Sequence, residues 1–240
     1  MADIVMNGGT DLSMTAQMLL AVMPELNEEQ TDKFIKYYNM LIERNRTVNL
    51  TRITAPEEVV AKHFADSVLG ASLIPEGAKV IDVGTGAGFP GIPLAIVRPD
   101  ISLTLVDSLG KRVSFLEEVC AQIGIGARCI HARAEDAARD DSLRAHFDIA
   151  LSRAVAPINV LIELTAPFLK IGGCSLMYKA GNIGEELSLA SNALKELGCT
   201  AQTVELSADW GGRTIVRAVK DSKTPSRYPR KAGTAQKKPL

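Results

Sequence analysis

The stretch Val80-Ile81-Asp82-Val83-Gly84-Thr85-Gly86-Ala87-Gly88-Phe89-Pro90-Gly91 decides the fold. Its first four residues are typical of a buried strand, and the alternating glycines that follow permit a tight turn with positive φ angles. A helix that begins near Pro90 points free N–H groups toward the same turn. The pattern therefore predicts a nucleotide-type pocket at the end of the first strand of an α/β sheet.

The composition is that of a globular protein, with 240 residues, 46% of them hydrophobic and 23% charged. This length suits one large α/β domain with an appendage. No apolar run approaches the roughly 20 residues that span a bilayer, and the N-terminus lacks the pattern of a secretory signal. We therefore expect a cytoplasmic protein that does not associate with membranes.

The four cysteines stand far apart, with no CxxC pair and no histidine at ligand spacing. Neither a zinc site nor a disulfide framework is predicted, and we expect no metal. Cys120 instead repeats at helical spacing with Val113, Leu116 and Ile123, which predicts a core cysteine.

The chain divides into three parts by pattern. Helical periodicity covers residues 14–23, 28–44 and 54–69, and two pairs, Asn27 with Gln30 and Thr54 with Glu57, have the spacing of capping boxes. From Ala78 onward strands and helices alternate, which predicts βαβ units and a mostly parallel sheet. We therefore predict an N-terminal helical cap (1–73), a main domain (74–222) and a basic C-terminal tail (223–240).

The main domain is predicted to hold seven strands. They are placed at residues 79–83, 102–106, 127–131, 148–151, 174–178, 201–206 and 214–219, and the helices between them at 90–96, 110–123, 137–144, 159–168 and 185–197. Only a short loop joins the last two strands, which indicates an antiparallel hairpin added to a doubly wound sheet.

The tail carries charge of one sign. The chain has a net charge of −1, but residues 223–240 hold six basic and no acidic residues, which leaves −7 on the rest. The tail is predicted to be extended rather than packed. It is a candidate RNA-binding arm, and a disordered solubilising tail is the alternative. Its basic residues are Lys223, Arg227, Arg230, Lys231, Lys237 and Lys238.

The opening stretch satisfies two cofactor templates. Residues 86–91 match the dinucleotide pattern GxGxxG, with Asp107 placed to bind a ribose, which favours a nicotinamide-dependent oxidoreductase. Residues 82–88, an acid before three glycines, resemble motif I of the class I S-adenosylmethionine methyltransferases, and Asp107 resembles their motif II acid. A helix N-cap is the ordinary alternative for Asp107. A non-catalytic α/β protein that binds RNA or another ligand is a third hypothesis.

The chain also lacks particular motifs. It has no Asn/Asp-Pro-Pro-Tyr/Phe and no Pro-Cys nucleophile, which disfavours methylation of exocyclic amines and of cytosine C5. It shows no Ser/His or His/Asp constellation for a general base.

Several ordered blocks together resemble the bacterial 16S ribosomal RNA guanine-N7 methyltransferase family. The resemblance covers about residues 47–240, with mild departures at Ala180 and Ala235. The blocks are Asn49-Leu50-Thr51, His63 with Asp66-Ser67, the opening stretch from Asp82, Asp107-Ser108-Leu109-Gly110-Lys111-Arg112, Arg133-Ala134-Glu135, Ser152-Arg153-Ala154 and a tail from Tyr228 to Leu240.

The resemblance implies a class I methyltransferase (Rossmann-like) fold that uses S-adenosylmethionine to methylate N7 of a guanosine in the 530-loop region of 16S ribosomal RNA. The partner is the RNA or the small ribosomal subunit, and we expect a monomer. The implied donor-binding residues are Asp82, Gly84, Gly86, Gly88, Phe89, Asp107, Ala134, Glu135 and Arg153.

Three residues are candidates for the catalytic end of the cleft. Arg153 and Lys179 each follow a strand, and we predict that they flank the entrance of the target guanosine. His63 precedes the first strand on a predicted helix, with Asp66 three residues on. A histidine satisfied by a core contact is the alternative for His63.

Overall fold

The computed structural model describes residues 12–180, 183–208 and 210–240, with side-chain burial from residue 16 onward. Its strands form one sheet in the order β3-β2-β1-β4-β5-β7-β6. The predicted seven-stranded α/β sheet is thus confirmed. The strands are β1 (Lys79–Val83), β2 (Ser102–Asp107), β3 (Arg128–His131), β4 (Phe147–Arg153), β5 (Leu169–Ala180), β6 (Cys199–Leu206) and β7 (Arg213–Lys220).

The sheet is doubly wound. Strands β1 to β5 run parallel, and β7 pairs antiparallel with both β5 and β6, which confirms the predicted C-terminal hairpin. Strand β1 lies between β2 and β4, so the order of the strands reverses beside it. Open α/β sheets bind ligands at such a switch point, outside the carboxyl ends of the strands.

The helices flank this sheet, and none in the described ranges is long and apolar enough to cross a membrane. A π-helical turn (Val60–Ala65) joins the third and fourth helices. The helices are α1 (Leu12–Val22), α2 (Glu28–Asn45), α3 (Pro56–Val59), α4 (Asp66–Val68), α5 (Gly91–Val97), α6 (Gly110–Ile123), α7 (Ala134–Ala137), α8 (Ile158–Thr165), α9 (Gly184–Leu189), α10 (Ser191–Leu197) and α11 (Thr234–Lys237).

Two predicted helices are wrong in their bounds. The helix after β3 is α7, and residues 138–145 form turns instead, because the Asp140 side chain accepts from the Ser142 amide at 2.8 Å and competes with helical hydrogen bonding. The helix predicted at 185–197 bends at Ala190 into α9 and α10, and both halves contact α8.

The N-terminal helices pack on the sheet through aromatic side chains. Phe34, Tyr37 and Phe64 are fully buried, and one hydrophobic cluster joins them to residues of β1 and β2. The predicted capping box of Asn27 is confirmed at the start of α2. The box predicted at Thr54 is wrong, because α3 begins at Pro56 and its N-cap residue makes no side-chain hydrogen bond.

The C-terminal tail packs against the sheet's helices, so the expectation of an unpacked tail is wrong. Tyr228 and Ala235 are buried. Glu163 in α8 is buried, and Arg230 donates to its carboxylate through Nε at 2.9 Å and through Nη2 at 2.5 Å. A buried carboxylate needs a partner, and the tail supplies it.

Arg230→Met is expected to destabilise the protein by about 3 kcal/mol, since it leaves the Glu163 carboxylate, 1% exposed, without its cation. Urea denaturation at pH 7 measures the change. The matched control is Arg227→Met, which removes a surface pair with Glu196 and is expected to leave the midpoint unchanged. Equal midpoints for both variants would contradict a tail held by the buried pair.

Candidate functional site

A cleft of about 440 Å³ opens at the carboxyl ends of β1, β2 and β4, at the switch point of the sheet. This volume lies within the range of small-molecule sites. Its walls come from the glycine loop after β1, the ends of β2, β3 and β4, the π-helical turn and α11. Segments from nearly the whole chain therefore meet at one place.

The glycine loop forms one wall. Gly84, Gly86 and Gly88 have φ angles of 72°, 63° and 107°, in the region that residues with a Cβ rarely adopt. Gly84 and Gly86 line the cleft, whereas Gly88 does not. A Cβ built on Gly86 meets no atom within 4 Å, so the backbone there is open to a ligand.

Asp82, predicted to bind the donor, lies fully buried beneath this loop and does not line the cleft. Its Oδ2 accepts from Thr85 Oγ1 at 2.8 Å and from the Gly91 amide at 2.9 Å. Burial raises the pKa of Asp82 to about 6 against the lowering effect of these hydrogen bonds, so the carboxylate is ionised at neutral pH. Asp82 thus holds both ends of the loop in place.

Asp107 ends β2, and its carboxylate does line the cleft. Its Oδ2 accepts from the Gly86 amide and its Oδ1 from the Leu109 amide, each at 2.9 Å. Arg112 lies 3.5 Å from Oδ2. The N-cap of α6 is Leu109, not Asp107. The carboxylate therefore joins the glycine loop to the next loop and presents an acceptor beside both.

The wall beyond Asp107 is built from two distant parts of the chain. Ala134 and Glu135, both predicted, line the cleft at the start of α7. The buried Glu135 carboxylate accepts from the Gly233 amide at 2.8 Å, which brings α11 against this wall. Gln236 of α11 lines the cleft as well.

The opposite wall holds Arg153, His63 and Phe89. The imidazole of His63 stacks on the Phe89 ring with centroids 4.5 Å apart, and the Arg153 guanidinium lies 4.9 Å from the same ring. Arg153 Nη2 is 3.3 Å from His63 Nδ1, while Thr51 Oγ1 is 2.8 Å from His63 Nε2. All four residues line the cleft, so this wall is aromatic with one cation.

Asp66 fixes the Arg153 side chain. Its Oδ2 pairs with Arg153 Nη1 at 3.3 Å, while Arg213 and the Trp210 indole donate to its Oδ1, the latter at 3.4 Å. Arg153 Nη1 also donates to the His63 carbonyl at 3.4 Å. The carboxylate and the π-helical turn thus orient the guanidinium from behind the cleft.

The charge state of His63 follows from these contacts. Burial, and then the nearby Arg153 cation, lower the pKa of His63 to about 4. The imidazole is therefore neutral at physiological pH. It presents an aromatic face and a polar edge rather than a positive charge.

Lys179 does not line the cleft. Its ammonium group donates to the Ala156 carbonyl at 2.8 Å and to Glu186 Oε1 at 2.5 Å. Glu186 also accepts from the Ile158 amide at 2.7 Å. The three contacts fasten the loop after β4 to α8 and α9.

Several lining residues were not predicted. Gln236 lies far along the chain from the glycine loop, and the sequence gives no signal for it. Val155 is 37% exposed and would lie 3.0 Å from a Cβ on Gly84. Ala154 beside it has a φ of 55°, which is uncommon for a residue with a side chain.

Metal binding is a separate question. Within residues 12–180, 183–208 and 210–240, no group of three or more His, Cys, Asp or Glu is placed to hold a metal ion. The cleft instead offers backbone amides, the acidic residues Asp107 and Glu135, three arginines and aromatic faces. These groups suit an organic ligand with hydroxyls, a carboxylate and a base.

Comparison with known proteins places this site in a family. A family model described as rRNA small subunit methyltransferase G (GidB) matches residues 30–213. The chain is 46% identical over 237 residues to the ribosomal RNA small subunit methyltransferase G of Desulforamulus reducens, which covers 96% of this chain and 99% of that protein. It is 46% identical over 222 residues to the protein of the same name from Clostridium perfringens, with coverages of 90% and 93%.

Solved structures agree on the fold. Cofactor-bound Rv0187 from MTB matches with a TM-score of 0.56 at 14% identity and covers 90% of this chain and all of that one. A methyltransferase from Pyrococcus furiosus matches with a TM-score of 0.53 at 12% identity, with coverages of 80% and 100%. The fold is that of class I methyltransferases. Together with the family match, this shows that the chain belongs to the rRNA small subunit methyltransferase G family.

Proposed function

We propose that the protein transfers a methyl group from S-adenosylmethionine to N7 of a guanosine in 16S ribosomal RNA, in the 530-loop region that the sequence resemblance implies. The observation that supports this proposal most directly is the cleft at the switch point, where the Asp107 carboxylate lies beside the open backbone of Gly86. Family membership favours this function over the nicotinamide-dependent alternative.

The lining residues fit the methyl donor. Asp107 is placed to accept hydrogen bonds from ribose hydroxyls, and the Gly84 and Gly86 backbone allows close approach. Ala134 and Glu135 line the part of the cleft beyond Asp107, where the adenine base would lie next to the ribose. When bound, S-adenosylmethionine supplies a methyl group activated by its sulfonium charge.

The protein's own contribution is to position the reactants rather than to move a proton. Guanine N7 carries a free lone pair, so no general base is required. The purine ring gains positive charge as N7 is methylated. His63 and Phe89 are themselves uncharged, and the Arg153 cation on the same wall is paired with the Asp66 carboxylate. Alignment of the reactants in a preorganised cleft is therefore the main source of acceleration.

Arg153 suits the donor better than the guanine. A guanidinium beside a ring that becomes positive would oppose the reaction, whereas it pairs strongly with a carboxylate. Its side chain lines the cleft and Asp66 orients it from behind. We therefore assign Arg153 to the methionine carboxylate of the donor and His63 with Phe89 to the reacting end. Lys179, held by Glu186, acts on the loop rather than on the guanosine.

The activity is tested by incubating the protein with tritiated S-adenosylmethionine and small subunits or 16S RNA from cells that lack it. Label is expected in 16S RNA, and mass mapping is expected to find one 7-methylguanosine. Label in another base or in no RNA would overturn the proposal. Binding of NADH in place of S-adenosylmethionine would favour the oxidoreductase.

Arg153→Ala is expected to weaken binding of S-adenosylhomocysteine by roughly 10- to 100-fold, since a charge-assisted hydrogen bond to its carboxylate is lost. Calorimetry measures the affinity. Adenosine, which lacks the carboxylate, serves as the control ligand and is expected to bind both forms equally. An equal loss for adenosine would mean that the substitution disturbs the cleft as a whole.

RNA binding is proposed to involve the exposed lysines of the tail. Arg227 and Arg230 pair with Glu196 and Glu163. Lys237 and Lys238 are exposed and have no ion pair within the described ranges, and they follow directly on Gln236 at the cleft. The cation pair thus lies at the rim where an RNA phosphate would approach the site.

Replacing Lys237 and Lys238 by alanine is expected to weaken binding to 16S RNA and to reduce the slope of log affinity against log salt by roughly 1.5, since each lost phosphate contact contributes about 0.7 to 0.9. Filter binding over a salt series measures this slope. The matched control replaces the exposed Lys36 and Lys195, which lie on α2 and α10, and is expected to leave the slope unchanged. Identical slopes for both double variants would remove the tail from the RNA interface.

A further inference from the structure

The C-terminal segment closes one side of the cleft. Its backbone is tied to the main fold at Gly233, whose amide donates to the buried Glu135, and at Arg230, whose amide donates to Glu163 at 2.8 Å. Ala235, two residues after Gly233, is buried. The family model matches up to residue 213, whereas the alignment with the Desulforamulus reducens relative covers 96% of the chain.

Gln236 is the residue that this anchoring presents to the cleft. It lies between the buried Ala235 and the exposed Lys237, and it lines the cleft together with Glu135 and Leu164. No residue in the described ranges donates to or accepts from its side-chain amide. A free amide on the wall of a polar cleft has a donor and an acceptor available for a ligand.

The order of the strands indicates which part of the donor reaches Gln236. Asp107 ends β2, and the next strand outward is β3, which leads into Ala134 and Glu135. If the ribose lies at Asp107 and the methionine part extends toward Arg153, the base lies on the β3 side. That side is the one that α11 covers through the Gly233 to Glu135 hydrogen bond.

We propose that Gln236 is a donor-binding residue whose side-chain amide hydrogen-bonds the adenine base of S-adenosylmethionine. The proposal rests on the proposed function. Adenine offers an amino group that donates and ring nitrogens that accept, and the glutamine amide matches this pair of groups. The tail therefore recognises the base, and its docking by Glu135 and Glu163 positions the amide.

The test is calorimetry of S-adenosylhomocysteine binding to the full chain. Gln236→Ala is expected to lower the affinity roughly tenfold, from the loss of one or two hydrogen bonds. The matched control is Gln202→Ala, the same change at an exposed position of β6, and it is expected to bind as the wild type does. The unliganded melting temperatures of all three are expected to agree, because both glutamines are exposed.

A second ligand shows whether the contact is to the base. The analogue of S-adenosylhomocysteine with unsubstituted purine lacks only the 6-amino group. The wild type is expected to prefer the adenine ligand by threefold or more, and Gln236→Ala to lose this preference. An unchanged affinity of Gln236→Ala, or a preference that the variant retains, would overturn the proposal. Failure of the wild type to bind S-adenosylhomocysteine would overturn the proposed function as well.

Discussion

The buried Asp82 carboxylate is the constraint on which the cleft depends. One of its oxygens holds Thr85 and the Gly91 amide, so the chain must leave β1 in a tight loop and enter α5 directly over the acid. Its other oxygen, Oδ1, is buried without a partner among the described residues. The free-energy cost of this burial appears in the pKa of about 6. In return, the loop amide at Gly86 is placed where it meets Asp107.

Buried carboxylates recur around the site, and each one draws a distant segment toward it. Asp66 gathers Arg153 and Arg213. Glu135 and Glu163 bind the tail: Glu135 accepts from the Gly233 amide, and Glu163 pairs with Arg230. Each acid needs donors once it leaves water, and the donors come from segments far along the chain. The same physical requirement therefore builds the base of the glycine loop, the arginine wall and the tail wall.

The sequence predicts the parts of this structure that depend on local pattern. The alternating strands, the glycine loop, Asp107 and the capping box at Asn27 all have signals within a few residues, and all are found. The turns after α7 were missed because the Asp140 side chain outcompetes a periodic apolar pattern. The packing of the tail was missed because its lysines and prolines are typical of an extended segment, whereas the two buried glutamates that bind it lie far away in the sequence. The position of Gln236 at the cleft was missed because it depends on the hydrogen bond from Gly233 to Glu135, which joins residues 98 positions apart in the sequence.

The position of the tail links donor binding to the completeness of the fold. The cleft has one wall from the π-helical turn, one from the sheet and one from α11, so its full shape exists only when the last residues have docked. Linkage is reciprocal: any ligand that gains free energy from the α11 wall stabilises the docked tail by the same amount. Lys237 is the last residue of α11, and Lys238 is its C-cap. If Gln236 binds the donor as proposed, the same linkage requires that a bound donor stabilise the docked position of these two lysines.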